Sequence, residues 1–355
     1  MATSVNAYAV PAPRSPLAPT TIQRRSPRAH DVLIEIRYVG ICHSDVHEVR
    51  GEWEGGIFPM VPGHEITGIV RGTGPDVTRY RNGDRVGVGV FVDSCRKCAN
   101  CRAGREQYCA EGMTNTYNAI GRDGEPTYGG YSTHIVVDEN YVLRIPEALP
   151  LDAAAPLLCA GITLYSPLRH WGAGPGRRVA IQGMGGLGHT GVMLAHALGA
   201  EVTVLSRSPG KRDDALRLGA HHFRPTTDPA VFEELAGSFD LVINTVSAVA
   251  DLNSCLRLLR TDATLVSVGL PGTPVPLDLS ALVPGRKRLA GSMIGGIAET
   301  QEMLDFCAAH GIRAEVEVIS AGQLNAAYDR VADGAVRYRF VIDAASFNAP
   351  LDMSR

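Results

Sequence analysis

"RVAIQGMGGLGHTG", residues 178–191, decides the fold. Arg178–Gln182 is a short apolar run, and after it Gly183, Gly185 and Gly188 stand in the spacing G-x-G-x-x-G, with Gly186 and Leu187 completing the turn. The helical pattern HTGVMLAHALGA follows. In this order the first glycine permits a tight turn, the second lets the backbone approach a pyrophosphate, and the third allows close helix packing, while the helix N-terminus favours the anion. Alone, the spacing could equally be a Gly-rich turn; its place between a strand and a helix makes it a dinucleotide site.

Outward from this turn, EVTVLS (201–206), FDLVINTV (239–246) and ATLVSVGL (263–270) are further β-branched runs, separated by helical patterns such as ADLNSCLRLLRTD (250–262). Strands alternating with helices of that length predict a parallel, doubly wound sheet. An NAD site places Asp or Glu about 20 residues beyond the turn to hold the ribose hydroxyls. Here the second strand ends LSRSPGK with no carboxylate at its tip, and Ser206, Arg207, Ser208 and Lys211 offer donors and positive charge. That set suits the 2'-phosphate of NADP; the plainer alternative is a solvated basic turn.

The chain has 355 residues, more than one ordinary core of about 100–200 residues, so two domains are expected. Between residues 30 and 145 the runs VLIEIRYVG, EITGIVRGTG, RNGDRVGVGVFV and YSTHIVV are bounded by Gly, Pro and the Asn82-Gly83 turn signal. They predict a mostly antiparallel β domain. The C-terminal stretch mixes a helical TQEMLDFCAAHG, an amphipathic AGQLNAAYDRVADG and a strand-like YRFVID. A formal net charge of -3, with basic and acidic residues interspersed, argues against nucleic acid or a membrane surface as the main partner. No apolar run follows a basic start, and none approaches the roughly 20 residues of a membrane span. A cytoplasmic location is therefore expected, where closely spaced cysteines read as metal ligands rather than disulfides.

CRKCANCRAGREQYC, Cys95 to Cys109, spaces four of the eight cysteines as C-x2-C-x2-C-x7-C. Cys95, Cys98, Cys101 and Cys109 can close a tetrahedral zinc site, against the alternative of disulfides or free thiols. Four thiolates fill every position, so that ion would be structural. Cys255, with Leu252, Leu256 and Leu259, and Cys307, with Met303 and Leu304, read as core. Cys42 opens CHSDVH, PGHE supplies His64 and Glu65, and Cys159 stands where a helix begins, a setting that favours a thiolate. Two thiolates and one imidazole leave zinc formally neutral with a position open, as a catalytic zinc requires. Spacing alone does not bring residues 42, 64 and 159 together.

GICHSDVH, VPGHE, the four-cysteine segment, CAGITLYSPL, the glycine turn and VRYRFVID together resemble the zinc-dependent medium-chain alcohol dehydrogenases. They are most similar to the branch of NADP-dependent cinnamyl alcohol dehydrogenases and aldehyde reductases, over nearly the whole chain. The resemblance implies a GroES-like catalytic domain at 1–155 with a structural-zinc lobe at 93–110, a Rossmann NADP-binding domain at 156–291, and a C-terminal return to the catalytic domain at 292–355. It implies two Zn2+ per chain: a catalytic ion on Cys42, His64 and Cys159, with Glu65 beside it as an outer neighbour or transient ligand, and a structural ion on the four clustered cysteines.

The same resemblance implies the chemistry. Zinc polarises an aldehyde carbonyl while NADPH delivers hydride, and Ser44 supplies the proton, refilled through the nicotinamide ribose from His47. The three-residue spacing puts Ser44 and His47 near one face of a helix; without the family they read as a helix cap and a surface histidine. Asp45 would orient a zinc ligand. Thr163 would lie near the nicotinamide and Arg339 near the pyrophosphate. Trp53, Phe91, Tyr117, Leu270, Met293 and Ile294 match pocket-lining positions, an apolar set that suits aromatic or medium-chain aldehydes better than sugars. A homodimer is implied as well. The rival readings are a polyol or formaldehyde dehydrogenase of the same superfamily and a non-catalytic zinc- and nucleotide-binding redox sensor. The apolar pocket and the missing ribose acid count against the first, and the intact ligands and proton relay against the second.

Overall fold

In the computed structural model, which describes residues 3–247, 251–271 and 273–348, the chain forms two units, Met1–Cys159 with Gly295–Arg355, and Ala160–Ile294. The first unit begins with an antiparallel pair, β1 (Thr3–Ala9) and β2 (Ala18–Arg24). It continues with β3 (Asp31–Gly40), β4 (Ile66–Thr73), β5 (Arg85–Val88), β6 (Phe91–Asp93), β7 (Thr114–Asn115), β8 (His134–Asp138) and β9 (Leu143–Arg144). The second unit holds β10 (Arg178–Gln182), β11 (Glu201–Ser206), β12 (His222–Pro225), β13 (Phe239–Asn244), β14 (Leu259–Ser267) and β15 (Arg288–Gly291). The chain then returns to the first unit with β16 (Val316–Ile319) and β17 (Arg339–Asp343).

Alternation explains the first unit. Val32, Ile34 and Ile36 of β3 are buried, and Ile34 lies opposite Val70 of β4 and Ile135 of β8. Such a strand presents one face to a core, as expected in an antiparallel sheet. The main sheet runs β16-β17-β3-β4-β5-β9 with β8 also on β3; its pairs are antiparallel except β16 with β17. The β1–β2 pair was not anticipated from the sequence. Most of β2 is exposed, so it carries no apolar alternation to be read.

In the second unit the sheet order is β12-β11-β10-β13-β14-β15, every pair parallel. Renumbered within the unit this is 3-2-1-4-5-6, the order of a doubly wound dinucleotide fold. β11 and β13 are buried almost throughout, as strands covered on both faces must be. Phe239, Val242, Leu256, Leu258 and Leu265 share its core. One sequence expectation fails here. Of the helical pattern 250–262, Ala250 lies outside the described residues, only Leu252–Arg257 is helical, and Leu259 already begins β14, paired with Phe239. Ladder pairing and burial of Leu258 and Leu259 override the helical preference of the leucines.

Candidate active site

Helix His43–Arg50 starts immediately after β3, and its third residue organises the site. Asp45 is fully buried and accepts three hydrogen bonds: from Cys42 N at 2.8 Å, from Gly63 N at 3.3 Å and from His64 Nδ1 at 3.1 Å. Two of the sequence-predicted ligands, Cys42 and His64, are thus tied to one carboxylate. With Nδ1–H donated to Asp45, Nε2 is the ring nitrogen left for a metal.

Around this anchor one ligand atom each from Cys42, His64, Glu65 and Cys159 lies within 4.8 Å of the others. Cys42 Sγ and Cys159 Sγ are 3.9 Å apart. The Cys159 hydrogen bond holds the Cys42 thiol well below its ordinary value, against burial, while Cys42 and burial push the Cys159 thiol well up. Glu65 is pushed up to about 8 by burial, against the opposing pull of Arg339. One of its oxygens bonds the Arg339 guanidinium; the other, Oε2, is buried without a hydrogen-bond partner. Two thiols, an imidazole and a carboxylate with an orphaned oxygen make a donor set that fits zinc.

Ser44 Oγ lies 3.6 Å from Cys42 Sγ. His47, on the same helix, pairs through Nδ1 with Glu52 Oε2 at 2.5 Å, and its ring lies 4.7 Å from that of His43 and 5.1 Å from that of Trp53. The sequence reading missed Glu52, since a carboxylate in a polar loop carries no signal of its partner. Arg339 also has a partner the sequence did not indicate: it is buried in the first unit, bonded to Glu65 and, at 2.9 Å, to the carbonyl of Ile41.

The ligand atoms of Cys95, Cys98, Cys101 and Cys109 likewise lie within 4.8 Å of one another, and all eight cysteines are free. Backbone N–H groups point at the sulfurs: Cys95 N to Cys109 Sγ and Cys98 N to Cys95 Sγ, both at 3.3 Å. The N–H groups of Ala110 and Cys101 pull the Cys98 thiol down to about 6. An array of donors aimed at sulfur is what a bound thiolate cluster needs. Cys255 and Cys307 are buried, the latter against Met303.

At the glycine turn Gly183 has a φ of 96°, open to glycine at little cost. A Cβ on Gly188 would stand 2.0 Å from Gly183 O, whereas one on Gly185 would meet nothing within 4 Å. The open space at the second glycine is a cradle a phosphate could approach. Ser206 is buried at the end of β11, with Arg207 and Ser208 exposed beyond it. Lys211 turns back, its Nζ donating to Met184 O at 2.8 Å within the turn. Thr163 is buried in helix Ala160–His170.

The six expected pocket residues do not form one wall in either unit. Leu270, Met293 and Ile294 belong to the second unit, the first two exposed. Trp53 lies against His47. Phe91 is buried edge-on to Tyr141, whose hydroxyl is 2.8 Å from Ser94 Oγ, itself 3.2 Å from Cys101 Sγ. Tyr117 is stacked on His64. A concavity of about 1020 Å³ beside β2 and β8 includes none of the predicted site residues.

The chain matches the profile described as "Alcohol dehydrogenase GroES-like domain" over residues 28–147 and "Zinc-binding dehydrogenase" over residues 186–309. It is 60% identical to NADP-dependent alcohol dehydrogenase C 1 of Mycolicibacterium smegmatis, over 98% of this chain and 99% of that one. Among solved structures, a cinnamyl alcohol dehydrogenase from Sorghum bicolor superposes with a TM-score of 0.95 at 42% identity, covering 99% of this chain and 100% of that one. A CAD from Helicobacter pylori complexed with NADP(H) gives a TM-score of 0.92 at 41% identity, over 97% and 99% of the two chains.

Proposed function

This chain belongs to the zinc-dependent medium-chain alcohol dehydrogenases, and from that premise we propose that it interconverts primary alcohols and aldehydes with NADP(H), acting on aromatic or medium-chain substrates. The observation that carries this reading is the convergence of Cys42, His64, Glu65 and Cys159 on one point. Three of them, Cys42, His64 and Cys159, would hold a catalytic zinc, and Cys95, Cys98, Cys101 and Cys109 a structural one. When bound, zinc supplies Lewis acidity toward the substrate oxygen and NADP(H) carries the hydride.

The chain's own residues do the rest. Asp45 holds the His64 ring in one tautomer and orientation. Ser44 hands the proton to or from the substrate oxygen, and His47 exchanges it with solvent. Glu65, bonded through one oxygen to Arg339, would offer Oε2 as a reserve oxygen beside the ligands. Gly183, Gly185, Gly186, Leu187 and Gly188 form the pyrophosphate turn, and Ser206, Arg207, Ser208 and Lys211 favour the 2'-phosphate of NADP.

The working form is a homodimer. β15 ends the six-stranded sheet, and Leu279, Val283 and Leu289 near it are exposed at 63%, 75% and 36%. A bare strand edge flanked by apolar side chains is suited to pairing with its own copy across a two-fold axis. Among the described residues no single helix is long and apolar enough to cross a membrane. A cytoplasmic location without a nucleic-acid or membrane partner remains part of the proposal.

The deciding experiment is a screen of aromatic aldehydes, aliphatic aldehydes, polyols and formaldehyde with NADPH and NADH, before and after treatment with a zinc chelator. Aldehyde reduction with NADPH that disappears with chelation and returns with zinc is expected. Turnover confined to polyols or formaldehyde, or unaffected by chelation, would overturn the reading.

A further inference from the structure

We propose that Tyr117 is a positioning residue for the His64 imidazole rather than a wall of the substrate pocket, an inference that rests on the reading of His64 as a zinc ligand. The Asp45 hydrogen bond holds the ring by one edge, at Nδ1. Tyr117 adds support on its face. Its ring lies 5.8 Å from the His64 ring, stacked at 23°, so that the imidazole face rests on it. Only 6% of Tyr117 is exposed, too little surface to receive substrates of varied shape.

The residues on either side keep Tyr117 in place. Thr116 donates through its backbone N–H to Val90 O at 3.0 Å and through Oγ1 to Gly89 O at 2.5 Å. Asn118, at a left-handed φ of 55°, turns the chain and ties two further segments to it. Its Oδ1 accepts from Ile57 N at 2.7 Å, and its Nδ2 donates at 2.5 Å to Oε2 of Glu48, on the helix that carries Asp45. The platform under His64 is thereby fastened to the same helix that grips its edge. A ring held at both edge and face keeps Nε2 aimed at one point, which is what slow metal release requires.

The test follows zinc rather than turnover. Wild type, Tyr117→Leu, Tyr117→Phe and His64→Ala are each loaded with zinc and challenged with a chromogenic chelator, and KM for benzaldehyde and hexanal is measured on the loaded samples. Tyr117→Leu should release one zinc at least about tenfold faster than wild type. Tyr117→Phe, which keeps the ring, should show a smaller change in the same direction, with the second zinc retained and the ratio of the two KM values unmoved. Unchanged release with a KM raised for one aldehyde only would make Tyr117 a pocket wall, and unchanged release with unchanged KM would remove any role; either overturns the proposal. Should His64→Ala keep both zinc ions, the ligand reading itself has failed, whatever the tyrosine variants do.

Discussion

Cys159 illustrates how a residue's chemistry is set by what it meets. At the start of a helix it reads as a ready thiolate; 3.9 Å from Cys42, the hydrogen bond between the two sulfurs and burial push its thiol up. In the zinc-bound protein both sulfurs would be deprotonated and share the ion's charge. Cys159→Ala should therefore abolish aldehyde reduction while one zinc per chain remains on the four-cysteine lobe, as read by elemental analysis; retained activity would refute its assignment. At this scale the sequence was most legible where ligands lie close together, as at Cys95–Cys109. It was least legible where a partner comes from far away, as with Arg339 and Glu65.

Elements were legible where their periodicity is uninterrupted. β3 alternates, and β10 has the unbroken apolar centre Val179-Ala180-Ile181, so each announces its sheet type. Residues 258–262 were misread because Leu258 and Leu259 suit both a helix and a strand, and only the ladder with β13 decides. The glycine turn is the element on which cofactor binding depends. With 2.0 Å between a would-be Cβ at Gly188 and the backbone oxygen of Gly183, neither atom can yield cheaply. Gly188→Ala should cost about 1–3 kcal/mol, as other overpacked sites do. It should lower the melting temperature and weaken NADPH binding, measured by calorimetry, with zinc content unchanged. Normal NADPH affinity in that variant would argue that the turn does not cradle the pyrophosphate.

For the molecule as a whole, the edge strand β15 makes a prediction that no single residue makes. Placing charge on the apolar flank, with Val283→Asp and Leu289→Arg together, should convert a dimer into monomers by light scattering at micromolar concentration. A wild-type monomer would sink the dimer proposal directly. Two kinds of information separate at this scale. Strand and helix texture, the nucleotide turn and the chemistry of the cysteine cluster are local properties, written in residue type and spacing and therefore present in the chain before it folds. The meeting of Cys42, His64 and Cys159 is not local; residue spacing left it open, and only the family resemblance implied it. It arises when burial of the β-domain core brings β3, helix His43–Arg50 and the segment before Ala160 around Asp45. Tyr117 and Phe91 read alike as apolar pocket residues, yet one is stacked on His64 and the other lies edge-on to Tyr141. Which way a buried ring faces is decided by the neighbours it must pack against, and those are assembled only in the folded protein.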